Sequence, residues 1–200
     1  MTTYYTDTDK LLLERWQEVN ELIEAREELI DRIDDVVEVA GQLLARSLEP
    51  RGYAVEASPK DVAIYLHRSA WADRKKGTPV YFTLGGFAPL GYRKHSEAHP
   101  YLWLTTSDLE AFRQKVDQRI EFSRSLRKAL GADVARTWEH HHCNDADEPL
   151  GRVLTDYDDR ARCELVSSPE KLHDFAMKEF DHAFQIADVV ERQLFVLLGR

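Results

Sequence analysis

The chain has 200 residues, a net charge of −9, 43% hydrophobic and 32% charged side chains. That is enough for one sizeable core and too apolar for a disordered chain. No apolar run approaches the ~20 residues that cross a bilayer, and residues 1–7 have neither the basic nor the apolar part of a secretory signal. Only two cysteines occur, Cys143 and Cys163, so reduced thiols, a cytoplasmic location and no membrane association are expected.

Residues 8–48 carry the clearest pattern. Leu12, Trp16, Val19, Ile23, Arg26, Ile30, Ile33, Val37, Ala40 and Leu44 step by four and three, a heptad seam. Leu22, Leu29, Val36 and Leu43 widen it, so the stripe suits more than one neighbour. Acidic residues fill the opposite face. A helix of this length spans roughly 60 Å, more than the domain needs, and should project or pair. Arg26, the one charge in the seam, is expected to lay its methylenes along the stripe and carry its guanidinium out to a carboxylate.

At 49–52, Glu-Pro-Arg-Gly ends the helix and turns the chain into a β-rich middle, 51–106. Short β-branched and aromatic runs at 53–57, 61–67, 79–84 and 101–105 predict antiparallel strands. The glycine-rich stretch at 85–91 reads as a hairpin or bulge. A third helix over 107–130 opens on a capping box, Ser107 with Glu110, and stops at Gly131. Residues 131–167 read as loop with short strands, the candidates lying at 152–155 and 163–166. Ser168, Pro169 and Glu170 then start a helix over 169–198. Its seam, Ala176, Phe180, Ala183, Ala187, Val190, Leu194 and Leu197, repeats the four-three step with small residues that allow close approach. The whole predicts a single α+β domain: a small antiparallel sheet of three to six short strands, packed with three main helices, the long heptad-patterned ones at the two ends.

Charge divides the chain in three. Residues 1–50 carry 5 basic and 13 acidic side chains, residues 51–130 carry 14 and 8, and residues 131–200 carry 8 and 15. A basic middle between acidic ends suits contact within or between chains. The same middle interleaves aromatics with Arg74, Lys75, Lys76, Tyr92, Arg93 and Lys94, the combination that single-stranded nucleic acid uses. Most of the aromatics are expected inside; Tyr92, Arg93 and Lys94 are expected in an exposed loop, and these six are the candidate partner contacts.

The densest cluster of metal-capable groups is Glu139, His140, His141, His142 and Cys143. His140, His142 and Cys143, with His95 or His99, supply imidazole and thiolate of the kind zinc takes, and Glu139 would be general base to a bound water. Neighbouring ligands are unlike usual metal spacings, so the stretch also reads as a solvated loop. His95 and Glu97 lack the P-C-x-x-C that zinc deaminases need, and H-E-x-x-H is absent. Glu179 and His182 match E-x-x-H of di-iron bundles but read as a solvated helix edge. Arg136 and His141 have an R-x4-H spacing that resembles the motif of HEPN-type ribonucleases. That resemblance implies Arg136 on phosphate charge and His141 in acid–base cleavage. HEPN domains are all-helical, whereas strand-like runs interrupt the helices here.

These features point first to a non-catalytic interaction protein without cofactor, an oligomeric adaptor or regulator. It would form a homodimer or bind a partner protein through helices 8–48 and 169–198. The alternatives are a hydrolase or nuclease dependent on zinc or another transition metal at residues 140–143, and a metal-independent ribonuclease using Arg136 and His141.

Overall fold

A sheet with one apolar row per strand needs a cover for its inner side, and this chain supplies that cover from its two long helices. In a computed structural model the described residues are 6–72, 80–89, 92, 99–106, 116–138 and 150–198, with 116–119 and 198 described by backbone alone. Five strands, β1 (Tyr53–Ser58), β2 (Ala63–Arg68), β3 (Val80–Gly85), β4 (Tyr101–Thr106) and β5 (Leu150–Val153), pair antiparallel in sequence order. The register aligns Val55, Leu66, Phe82, Leu104 and Leu150 in one row across the sheet, and Ala57, Ile64, Leu84, Leu102 and Arg152 in the next. Alternation puts both rows on one face. The other face carries the Tyr65–Tyr81 edge contact, the stacked pair Tyr101–Trp103 and the Thr83–Thr105 hydrogen bond.

The helices are α1 (Asp7–Glu14), α2 (Trp16–Leu48), α3 (Val116–Leu130), α4 (Ala132–Thr137), α5 (Asp159–Leu165) and α6 (Pro169–Leu198). Helix α2 buries Ile33, Val37, Ala40, Leu44 and Leu48. It comes so close to β1 that a Cβ on Gly41 would stand 2.4 Å from Ala57 Cβ. Helix α6 buries Leu172, Ala176, Phe180, Ala183, Ala187, Val190 and Leu194, the predicted seam up to its last position. The two helices pack together within one chain: Ser47 Oγ meets His173 Nε2 at 3.3 Å. Arg51 and Tyr53, where the chain leaves α2, pack on Phe184. Ser168 caps α6 through Lys171 N–H at 3.3 Å, and Gly131, at φ +77°, follows α3 as expected.

Three expectations are corrected. The predicted helix 8–48 is interrupted at Arg15, whose φ −113° and ψ 29° separate α1 from α2. The candidate strand at 163–166 lies in and beside helix α5, because Asp158 accepts a hydrogen bond from Ala161 N–H at 2.8 Å and caps a helical turn. Residues 132–137 are also helical rather than loop. The capping box at 107–110 lies outside the described residues.

Candidate partner-binding surface

The described residues leave the first half of the long stripe open. Nothing in α2 before Ile33 is buried, and α1 buries nothing. Trp16 is 58% exposed, Leu22 71%, Ile23 49% and Leu29 53%, with Leu11, Leu12 and Leu13 about as open. These seven make up most of the large apolar residues exposed among the described residues; the others, Val39, Val134 and Val196, are scattered. Single exposed leucines are ordinary, whereas a contiguous apolar stripe rimmed by charge marks a contact surface.

Local chemistry makes this arm helical without a core beneath it. Residues 6–40 contain no glycine or proline and are rich in strong helix formers. Thr6 and Asp9 form a reciprocal capping box, whose hydrogen bonds hold the exposed Asp9 carboxyl below its ordinary range. Lys10–Asp7, Arg15–Glu18 and Arg32–Glu28 pair one turn apart, and Gln17 donates to Glu21, each worth a few tenths of a kcal/mol.

Where arm and core meet, Arg26 Nη2 donates to the Tyr92 carbonyl at 3.2 Å. The Tyr92 hydroxyl donates to Asp34 and lies 3.3 Å from the Ile30 carbonyl. Among the described residues, Arg26 thus reaches a backbone oxygen of the core. Tyr92, expected to be exposed, is 6% exposed, because its ring lies in the core while its hydroxyl reaches acceptors on α2.

The other predicted residues are dispersed or lie outside the described residues. Arg136 is on α4 and exposed, and His99 is exposed just before β4. Arg74, Lys75, Lys76, Arg93, Lys94, His95, Glu139, His140, His141, His142 and Cys143 lie outside the described residues. Among the described residues no three His, Cys, Asp or Glu side chains converge as metal ligands. Trp71, Phe82 and Phe87 are core residues. Tyr65, Tyr81, Tyr101 and Trp103 remain half-buried on the outer sheet face, where burial and Asp61 push the Tyr65 hydroxyl up to about 12.

Two polar clusters were missed by sequence reasoning. Arg68 on β2 pairs with Asp188 and, at 3.2 Å, with Glu191 of α6, and Glu191 also accepts the indole N–H of fully buried Trp71 at 2.9 Å. Its members satisfy one another, so the cluster locks α6 to the sheet. In the second, Glu179 is buried rather than at a solvated edge, and its Oε2 accepts no hydrogen bond among the described residues. Burial, together with Arg152 at the end of its apolar row, depresses the neighbouring His182 imidazole below its ordinary 6.5. A cleft of 180 Å³ between α3 and α6, lined by Phe122, Val196 and Leu197 among others, is smaller than the ~300 Å³ where small-molecule sites begin.

Comparison of the chain with family models, curated proteins and solved structures finds no match. The class rests on the fold and its surface: an α+β protein whose first helices carry an apolar stripe that the other described residues leave open.

Proposed function

We propose that the chain is a non-catalytic interaction protein, an adaptor or regulator that docks a macromolecular partner on the arm formed by α1 and the first half of α2. The observation that supports this is the stripe of seven exposed large apolar side chains, Leu11 to Leu29, on helices that the other described residues do not cover. The stripe runs for roughly 28 Å along a helix face, which suits a long partner element. Burying the open part of each leucine yields on the order of 1 kcal/mol, part of which offsets the cost of association.

Leu22→Gln combined with Leu29→Gln tests the reading. Surface substitutions change stability by about 0.5 kcal/mol each or less, so the variant should unfold near the wild-type urea midpoint while losing association through the arm. A loss of 2–5 kcal/mol, about the cost of truncating a core leucine, would mean that the stripe is packed inside the chain and would refute the proposal.

A further inference from the structure

The charge around the stripe narrows its occupant. Between residues 6 and 32 stand nine acidic and four basic side chains, leaving −5. Each of the four cations is bonded within the chain: Lys10 to Asp7, Arg15 to Glu18, Arg32 to Glu28, and Arg26 to the Tyr92 carbonyl. Glu14, Glu24, Glu27 and Asp31 form no ion pair among the described residues. The spacing of the open apolar residues adds a second constraint. Trp16 and Ile23 are seven apart, as are Leu22 and Leu29, so two adjacent ladders present the heptad period to whatever lies against them.

We infer that the occupant is an amphipathic helix of a different protein, with a heptad apolar seam flanked by lysine and arginine. The inference rests on the arm being a docking surface, as proposed above. A second copy of this chain would lay another arm of charge −5 alongside the first, with its cations already engaged, and like charges flanking a helical seam select against pairing. Nucleic acid and anionic membrane surfaces are repelled by the same sign. A basic amphipathic helix matches both the period and the charge. Its flanking cations would meet Glu24 and Glu27 while its seam covers Trp16, Ile23, Leu22 and Leu29.

The test uses the full chain and two labelled synthetic peptides of three heptads. Both carry leucine at the seam positions; one carries lysine and the other glutamate at the flanking positions. Fluorescence anisotropy should show the lysine peptide binding at least about 10-fold more tightly than the glutamate peptide, with affinity falling as salt rises. Leu22→Gln with Leu29→Gln, which leaves the charge unchanged, should weaken the lysine peptide by about 10-fold or more. Equal binding of the two peptides overturns the inference, and so does undiminished binding of the lysine peptide to the variant, which would mark unspecific charge attraction. Light scattering separates this outcome from failure of the docking surface itself. A dimer of the chain that the double variant dissolves keeps the arm as a docking surface and makes its occupant a second copy. A monomer whose assembly and peptide binding are both indifferent to the double variant overturns both readings.

Discussion

Placing a methyl group on Gly41 sets two effects against each other at the closest approach of α2 to the sheet. In an open helix Gly→Ala stabilises by about 1 kcal/mol. Here the added Cβ would lie 2.4 Å from Ala57 Cβ, where carbon atoms in contact prefer ~3.5–4.0 Å, so helix and strand would have to part by about 1 Å. Ala57 cannot yield by a rotamer change, and its backbone is held in the β1–β2 ladder opposite Ile64. Overpacking of this kind costs about 1–3 kcal/mol, and with so little freedom the upper part of that range applies. Gly41→Ala should therefore destabilise the chain by about 1–2 kcal/mol net. Removing the opposing methyl relieves the conflict: beyond Ala57 Cβ, the nearest atoms to the new methyl are Ala57 Cα at 3.6 Å and N at 3.7 Å, ordinary contacts. Gly41→Ala with Ala57→Gly should return close to wild-type stability, with a favourable coupling of about 1–3 kcal/mol in the double-mutant cycle. Urea unfolding with unchanged m-values measures this. A single Gly41→Ala variant more stable than wild type, or a cycle without coupling, would refute the close approach and the placement of α2 derived from it.

Three further outcomes follow from named contacts. Tyr92→Phe keeps the buried ring but removes the donor to Asp34; it should cost about 1–2 kcal/mol and speed amide exchange around residues 26–34, and unchanged exchange there would argue against the clasp. Glu191→Ala strips the indole N–H of Trp71 of its acceptor and Arg68 of one carboxylate, for a loss of about 2–3 kcal/mol in thermal unfolding; a change below about 0.5 kcal/mol would mean the pair is not buried as described. His182 has a lowered folded-state value, so below its ordinary 6.5 the unfolded chain binds the extra proton first, and stability falls as pH drops through that window. His182→Gln should flatten the pH dependence between 6.5 and the lowered value, and equal slopes in variant and wild type would contradict the assignment.

The long helices were legible because a four-three period survives whatever covers it, and Ser168-Pro169-Glu170 marks the start of α6 by local chemistry alone, as Gly131 marks the end of α3. The same property hid the arm: Trp16, Ile23 and Leu29 continue the seam of Ile33 and Val37 without a break, and periodicity carries no information on which part of a stripe the chain itself buries. The strands from 53 to 106 were readable from alternation and turn residues. Helix α5 was not, because Leu165 and Val166 resemble the end of a strand, whereas the deciding signal was Asp158 capping a turn three residues on. Tyr92 was misplaced because a glycine-and-arginine neighbourhood reads as solvent, while the acceptors that draw it inward, Asp34 and the Ile30 carbonyl, are about sixty positions away. Glu179 was misread because the charge of a side chain in a helical sequence reads as solvent, whereas the fold buries it. The arm as a surface could be found only by subtracting the fold from the pattern.

The order of the strands has a consequence for how the molecule is made. Each strand of the sheet pairs with its sequence neighbour, so β1 to β4 can form from local loop closures, whereas β5 joins only after α3 and α4. The sheet's inner rows, however, are covered in part by α6, whose His173 meets Ser47 of α2 across a separation of 126 positions. At ~5–20 residues per second of synthesis, that interval lasts roughly 6–25 s. Through it, rows containing Leu66, Phe82 and Leu104 wait for their cover while the acidic arm has already emerged. The net charge of −5 over residues 6–32 would, on the ribosome, keep neighbouring nascent copies apart.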